Sequence, residues 1–394
     1  MIDNYQSGGL VADHFLDEFP EQVDRKVSRT AQAGQNDLPE GTVVVSADSH
    51  WLEGDIWIDR FPEELRSSAP RMQFIDGGWE LTFGDKQTGM FPRDAAQDAC
   101  QRFECIPGFT SVEERLKDLD IEGVRKELLF PQRLLGLAAA GEIAMREHVF
   151  RGWNEYISEI CARAADRLYF VAIPNYWDPA EAKASLEEVK ALGARAVMVP
   201  LNPRNDVDGL PIALNNPKMD AFYAAVAESG LPLCFHIGEN IPTNLPGAAA
   251  TYIVTGFQGF RPTWSALTFS GVFDRFPDLR VCFVEGGMHW VPSMLYDADL
   301  VVNSFPTMID VPLKHKPSYY WHNNCYAVFM TDPVGLQLID RIGTGRVMWS
   351  SDYPHPEGTF GYTRSAMQAV VDAVPAADAR KILGGTALDV FNMR

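Results

Sequence analysis

The sequence is short of positive charge. It contains 34 Lys and Arg residues against 53 Asp and Glu residues among 394, which gives a formal net charge of −19 at pH 7. Proteins that bind nucleic acid or an anionic membrane surface use lysine and arginine to neutralise phosphate groups. We therefore expect no nucleic acid partner and no membrane partner.

Further absences exclude other classes of protein. No apolar run approaches the roughly 18 residues that a transmembrane helix needs. The N-terminal stretch MIDNYQSGGLVADHFLDEFPEQ lacks a basic segment followed by an apolar one, so we expect no secretory signal. The six cysteines form no CxxC pair, and Cys234 and Cys282 fall inside apolar runs, as reduced core thiols do. With 46% hydrophobic residues, the chain is expected to be a cytoplasmic globular protein with a large core.

Short apolar segments of strand length recur along the chain from Thr42 onwards. They are continuous rather than alternating, which is typical of parallel strands that are buried on both faces. Amphipathic stretches at 113–124, 148–165 and 179–194 predict helices between them. The eight apolar segments are 42–48, 126–131, 168–174, 195–200, 231–237, 279–285, 325–331 and 346–352. This alternation predicts an α/β fold, a (β/α)8 TIM barrel. The alternative is an open doubly wound sheet, but no GxGxxG motif follows the first segment.

Three stretches do not fit the plain repeat. Residues 1–40 are polar and acidic and are predicted to form an N-terminal arm, with the barrel in residues 41–394. Residues from about 53 to 112 are too many for a βα loop, so we expect a cap over the barrel mouth. The cap contains GGWELTFGDKQTG, which predicts a hairpin. Residues 239–264 are rich in Gly, Pro, Thr and aromatics and are expected to form another wall of the site.

Ionisable side chains stand at the C-terminal ends of four segments, which meet at one mouth in a (β/α)8 barrel. Taken singly, each has an ordinary explanation as a hydrogen-bonded histidine or a helix-capping carboxylate. Together, imidazoles and carboxylates without thiolates favour a divalent Zn, Mn, Fe or Co ion in an open site. The residues are Asp48, His50, Glu53, His236, Glu285, His289, Asp352 and His355.

Several longer motifs carry a family resemblance. They include DSHWLE at 48–53, FHIG at 235–238, FDRFPDLRVCFVEGGMHWVP at 273–292 and MWSSDYPHPEGTF at 348–360. In this order they resemble the amidohydrolase-related (amidohydrolase 2) family of metal-dependent barrels, over residues 42–394. The resemblance implies a hydrolase or a nonoxidative decarboxylase. A few members of the family are oxygen-activating enzymes with two metal ions.

The resemblance also implies ligand positions. Asp48 and His50 match the family's ligands on strand one, His236 the ligand on strand five and Asp352 the ligand on strand eight. The sequence departs from better-known decarboxylases in three ways. It has Asp-x-His in place of His-x-His, its fourth segment ends VMVP without lysine, and it carries Glu285 and His289 where many relatives have a small residue.

Two functional hypotheses follow. In the first, one divalent ion is held by His50, His236 and Asp352, with Asp48 or Glu53 completing the shell, and the substrate is a small organic acid or carbonyl compound. The residues expected to act on that substrate are Asp352, His289, His355 and, as a clamp for its carboxylate, Arg133.

In the second hypothesis, the donors are more than one ion needs, and two Fe or Mn ions activate oxygen in a monooxygenase or its partner subunit. The ligands would then be Asp48, His50, Glu53, His236, His289, Asp352 and His355. A third alternative is a non-catalytic member of the family, a metal-bearing partner subunit or a binding scaffold. In each case we expect a homo-oligomer, or a hetero-oligomer with a homologous subunit.

Overall fold

The computed structural model describes residues 37–75, 78–83, 86–88, 106–137, 143–238, 245–256, 260–355 and 357–394. Within these ranges, eight parallel strands form one sheet and three antiparallel strands form a second. The strands are β1 (Val45–Trp51), β2 (Pro70–Ile75), β3 (Gly78–Phe83), β4 (Lys86–Thr88), β5 (Lys126–Pro131), β6 (Leu168–Ala172), β7 (Ala196–Met198), β8 (Leu233–His236), β9 (Val281–Val284), β10 (Cys325–Phe329) and β11 (Val347–Trp349).

The large sheet curls into a barrel. Its order is β1-β5-β6-β7-β8-β9-β10-β11, and every neighbouring pair is parallel. The last and first strands meet where His50 N donates to Tyr353 O at 2.7 Å and Asp352 N donates to Asp48 O at 3.1 Å. Each of the eight predicted segments overlaps one of these strands, so the prediction of a (β/α)8 barrel is confirmed.

Helices follow the strands along the chain. Those that the sequence predicted at 113–124, 148–165 and 179–194 are present as α1, α3 and α4. The first is capped by the Ser111 hydroxyl, which accepts from Glu114 N, and ends at Gly123, where φ is 80°. The helices are α1 (Val112–Glu122), α2 (Leu134–Leu137), α3 (Ile143–Ala162), α4 (Ala182–Ala191), α5 (Asp220–Ser229), α6 (Ala248–Gly256), α7 (Phe260–Phe269), α8 (Val272–Arg275), α9 (Trp290–Ser304), α10 (Pro317–Asn324), α11 (Pro333–Gln337), α12 (Ile339–Ile342), α13 (Thr363–Ala373), α14 (Ala376–Arg380) and α15 (Thr386–Val390).

The core lies in and around the barrel. All residues of β1, β6, β8 and β9 are buried, as expected for strands covered on both faces. Cys234 and Cys282 lie opposite each other on the neighbouring strands β8 and β9. Both are buried free thiols, in agreement with the prediction. Because these strands are buried along their length, a charged side chain placed on one of them is removed from water as well.

The small sheet lies in the predicted cap insertion. Strands β3 and β4 form the predicted hairpin, and β2 pairs with β3 on its other side. The position of the cap over the barrel mouth stays a prediction, as does the arm, whose residues 1–36 lie outside the described residues. Of the predicted wall at 239–264, the structure describes 245–256 and 260–264. Among the described helices, none combines the length and apolar character needed to cross a membrane.

Candidate metal centre

Strand β1 contributes the first two side chains of the centre. Asp48 and His50 stand two residues apart, so the alternation of the strand points both to the same side. His50 Nε2 lies 3.7 Å from Asp48 Oδ1. His236, the last residue of β8, brings its Nε2 to 3.3 Å from the same oxygen. All three side chains are almost fully buried, at 0–1% exposure.

Two carboxylates enter the centre through an unusual backbone conformation. Glu285 and Asp352 follow β9 and β11 with φ angles of 73° and 51°. Asn392 is the third non-glycine residue with positive φ in the described part of the chain. Positive φ angles are disfavoured for residues with a Cβ. The resulting backbone strain persists mainly where the surrounding structure imposes it, often at functional sites. We infer that both backbones are held in place to aim these carboxylates.

The two carboxylates join the three residues to a sixth, His355. Asp352 Oδ1 lies 3.2 Å from His50 Nε2 and 3.2 Å from His355 Nδ1. Glu285 Oε2 lies 3.3 Å from His236 Nδ1, and Oε1 lies 3.6 Å from His355 Nδ1. The six side chains thus surround one small volume at the carboxyl ends of four strands.

Hydrogen bonds outside this volume fix the tautomers of two histidines. The Nδ1 atoms of His50 and His236 lie 3.1 Å from Pro131 O and 2.7 Å from Ile237 O. A carbonyl oxygen can only accept, so Nδ1 carries a proton in both rings. Each Nε2 then points to a carboxylate, that of His236 to Asp48 and that of His50 to Asp352. Metal-binding histidines are commonly oriented in this way.

His355 is oriented by a residue that the sequence analysis did not single out. Its Nε2 lies 2.7 Å from Gln132 Oε1, just after β5, and donates to that oxygen. The ring then turns Nδ1 towards Asp352 and Glu285. The adjacent Arg133 was selected from the sequence, while Gln132 was not, because a neutral amide gave no signal there.

The polar atoms of the centre are incompletely satisfied. Asp48 Oδ2, His50 Nε2 and both oxygens of Asp352 make no hydrogen bond within the described residues. Buried polar atoms normally have a partner, and a cluster of such atoms without one indicates a site for a bound ion. The donors form three overlapping sets, and within each set one ligand atom per residue lies within 4.8 Å of all the others. The sets are Asp48, His50, His236 and Glu285; His50, Asp352 and His355; and Glu285, Asp352, His355 and Glu357. These residues fit a divalent metal ion.

Burial works against charge on these groups. It raises the pKa of Asp352 to about 7 and, together with the neighbouring Asp352, raises the pKa of Glu285 to about 8. Burial also acts to raise the pKa of Asp48, but His236 and His50 outweigh it and hold the value below its usual range. Burial, with the nearby His355, lowers the pKa of His50 well below its usual value. The ion-pair partners of the three carboxylates in the described part of the chain are histidines.

Three of the predicted site residues lie outside the cluster of six side chains. The Glu53 carboxylate accepts from Arg133 N at 2.9 and 3.1 Å and from Leu134 N at 3.0 Å, and thereby caps α2. His289 Nδ1 lies 3.1 Å from Asp332 Oδ2 at the start of α9. Arg133 follows β5 at the same end of the barrel. The structure therefore gathers Asp48, His50, His236, Asp352 and His355, and adds Glu285, which the sequence placed at a strand end but outside the predicted ligand set.

Comparison with known proteins identifies the family. The model of the Amidohydrolase family matches residues 107–393. The chain belongs to the amidohydrolase family. The resemblance stated from the sequence motifs is therefore confirmed. The matched range begins after β1, so the family match does not cover Asp48 and His50. The closure of the barrel brings these two residues into the centre of this amidohydrolase.

Solved structures show the same fold. An amidohydrolase from Mycobacterium avium subsp. paratuberculosis K-10 has 21% identity and a TM-score of 0.73, over 89% of this chain and 99% of that one. A 5-carboxyvanillate decarboxylase from Sphingomonas paucimobilis has 20% identity and a TM-score of 0.66, over 89% and 99%. A dihydroxybenzoic acid decarboxylase from Polaromonas sp. JS666, solved with bound manganese and 2-nitroresorcinol, has 18% identity and a TM-score of 0.65, over 89% and 97%. None of these three is described as an oxygenase.

Proposed function

We propose that this amidohydrolase-family chain is a metal-dependent enzyme that removes CO2 from a small organic acid without oxidation. The observation that carries the proposal is the set of buried donor atoms without hydrogen bonds, on Asp48, His50 and Asp352. Two of the similar structures are decarboxylases, one of them with bound manganese, which supports this reaction over hydrolysis. The substrate of this chain would be a carboxylic acid of the same broad kind.

The ion would be held by His50, His236 and Asp352, with Asp48 beside them. Its ligands are nitrogen and oxygen atoms, which suits Mn, Zn or Fe. When bound, such an ion supplies positive charge that polarises a carboxylate or carbonyl oxygen. The two backbone carbonyls that hold the Nδ1 protons keep the histidines ready for this role without any change of tautomer.

A cavity at the carboxyl end of β8 has room for the organic part of a substrate. It measures about 490 Å³, within the range of roughly 300–1,000 Å³ that is usual for small-molecule sites. Its lining includes Ile237, the residue after His236, together with the polar side chains of Asn202 and Thr263. We propose that the carboxylate end of the substrate faces the metal ligands while its body occupies this cavity.

His289 is the proposed proton donor. Asp332 accepts from Met288 N, His289 N and Gly335 N at 2.7–2.9 Å, and it lies 3.1 Å from His289 Nδ1. The ring therefore directs its Nδ1–H at Asp332 and leaves Nε2 for the substrate. The hydrogen bond to Asp332 raises the pKa of His289, which favours the protonated form. As the bond to the carboxylate group breaks, its electron pair stays on the substrate carbon. The proton of His289 Nε2 moves to that carbon, and CO2 leaves.

The parts of the chain around the centre complete the proposal. The insertion at 53–112 would cover the mouth, and Arg133 would bind a carboxylate of the substrate in a bidentate manner. We also propose that the chain acts in the cytoplasm as an oligomer, with the arm at 1–40 outside the barrel at 41–394.

The test is CO2 release by Mn²⁺-loaded protein from a panel of small aromatic and unsaturated carboxylic acids. His289→Ala should lose about 10²–10⁴-fold in kcat, the usual contribution of a proton-transfer group, and should keep its manganese. His322→Ala is the matched control, because His322 is exposed on α10, away from the centre. This control variant should keep both its kcat and its manganese.

Other reactions give other results in the same assay. Acid released from lactones or amides, with no CO2 from any acid of the panel, would replace decarboxylation with hydrolysis. Oxygen uptake that depends on substrate and reductant would instead favour the oxygenase alternative. Unchanged turnover in His289→Ala would remove the proposed proton donor.

A further inference from the structure

Strand β1 is irregular at the point where it enters the metal centre. Its pairing with β5 shifts by one residue between Ser46 and Ser49, so that β1 contains one residue more than β5 over this stretch. Such a β-bulge changes the direction of side chains and is common beside active sites. Asp48 lies inside the bulge, and His50 follows directly after it. The placement of these two side chains therefore depends on the contacts that hold the bulge.

Serine hydroxyls on both sides of the bulge hold it in place. Ser46 Oγ donates to Asp48 O at 2.7 Å and accepts from Ser351 N at 2.8 Å, which joins the bulge to the chain after β11. Ser49 Oγ donates to Glu127 Oε1 on β5 at 2.9 Å. The side chains of Ser46, Ser49 and Glu127 are fully buried. The bulge is thus fastened to its neighbours on both sides of β1.

Arg115, on α1, connects these contacts to the ligands themselves. Its Nε donates to Glu127 Oε2 at 2.7 Å, and its Nη1 donates to His50 O at 3.0 Å. Its guanidinium carbon lies 4.0 Å from the centre of the Tyr353 ring, and Tyr353 O accepts from His50 N. One buried cation therefore contacts the backbone of one ligand and the residue that follows another, Asp352.

We propose that Arg115 is a positioning residue, which holds the β1 bulge and the turn at Tyr353 in the geometry that the metal ligands need. The proposal rests on the metal site of the proposed function, but not on the reaction assigned to it. Both partners of the Arg115–Glu127 ion pair have 0% side-chain exposure. The loss of hydration in such a pair often equals or exceeds its electrostatic gain, so stability alone does not explain it. A role in the placement of ligands does.

Arg115 also contacts the last part of the predicted cap insertion. Its Nη1 donates to Gly108 O at 3.3 Å. A Cβ on Gly108 would overlap the Tyr353 hydroxyl and would lie 2.7 Å from Asp118 Oδ2, the atom to which that hydroxyl donates. The insertion is therefore packed tightly against the residue that separates Asp352 from the rest of its turn. A change at Gly108 should reach the metal ligands through the same contacts.

The test is calorimetric titration of the metal-free full chain with Mn²⁺, with urea unfolding of the same variants. Arg115→Lys keeps a positive charge near Glu127 but lacks the planar fork that serves several acceptors at once. We expect it to weaken Mn²⁺ binding by about 10–100-fold, the usual effect of losing a group that orients a ligand. Ser49→Ala should weaken binding by about tenfold, and Gly108→Ala should change it in the same direction.

Asn324→Ala is the matched control for a loss of stability alone. Asn324 is buried and donates to Pro277 O and Leu279 O at 2.8 and 2.9 Å. These contacts lie before β9 and β10, at the end of the barrel opposite the metal centre. The variant should unfold at a lower urea concentration and bind Mn²⁺ as the unaltered chain does.

Unchanged Mn²⁺ binding in Arg115→Lys, or equal weakening in Asn324→Ala, would overturn the proposal. Should Arg115→Lys fail to fold, Ser49→Ala carries the same comparison. The titration contains no substrate, so its result is separate from the reaction. Weaker binding in the variants, without CO2 release by the unaltered chain, would remove the proposed reaction and keep the role of Arg115. CO2 release with unchanged binding in Arg115→Lys would do the reverse, and an unaltered chain that bound no Mn²⁺ would remove both.

Discussion

Replacement of Glu53 tests whether this carboxylate is structural or a ligand. In the structure it is buried, at 1% exposure, and it accepts backbone hydrogen bonds from Arg133 and Leu134. It also lies outside the three sets of mutually close donors. Glu53→Ala should therefore lower stability and leave the bound metal in place.

The size of the loss follows from the two donors that Glu53 serves. A buried N–H without an acceptor costs about 1–3 kcal/mol, and this applies fully to Leu134, which is buried. Arg133 is only partly buried, so water can replace part of its bond. Burial raises the pKa of Glu53, which means that burying the charged carboxylate costs free energy of folding. Removal of the carboxylate relieves this cost. Together we expect a loss of about 2–3 kcal/mol.

The measurement is urea unfolding at one fixed excess of Mn²⁺, because bound metal adds to apparent stability. Metal content is determined on the same samples. Glu53→Gln keeps one acceptor oxygen and should lose less than Glu53→Ala. An alanine variant with unchanged stability that binds less manganese would refute the reasoning and return Glu53 to the ligand set.

Three further predictions follow from the site. His236→Ala should lose most of the bound metal while its circular dichroism stays unchanged, and full metal content would contradict the ligand set. Asp332→Asn should move the alkaline limb of the kcat–pH profile to lower pH. Asp332 raises the pKa of His289, and a proton donor stops working as the pH rises through its pKa. An unmoved limb would count against His289. Deletion of residues 1–38 should leave the metal content unchanged, because every candidate ligand lies at or beyond Asp48. Size-exclusion chromatography would show whether assembly depends on the arm.

The barrel could be predicted because its strands are buried on both faces. Continuous apolar runs, such as those that became β6 and β9, are hard to place in any other element when helices separate them. The same regularity explains why Asp48, His50 and His236 were found. They belong to strands, where the alternation of side chains fixes their direction and the barrel fixes their neighbours.

Side chains beyond the strand ends could be placed less well. Glu53 comes two residues after the end of β1 at Trp51, where alternation no longer applies, and it turns towards the backbone at the start of α2. His289 comes just before α9, and its direction depends on Asp332, which lies 43 residues further along the chain. In both cases a contact distant in sequence decided the outcome.

Glu285 shows most clearly what the sequence could not supply. Its place at the end of a predicted strand was evident, yet an extended continuation there would have sent its side chain in a different direction. The positive φ angle of 73° redirects it between His236 and His355, as the positive φ of Asp352 does on the opposite side. Such angles are disfavoured for both residue types, so local sequence preferences argue against them. They persist because the closed barrel holds the chain on either side, and the fold therefore determines how many donors reach the centre.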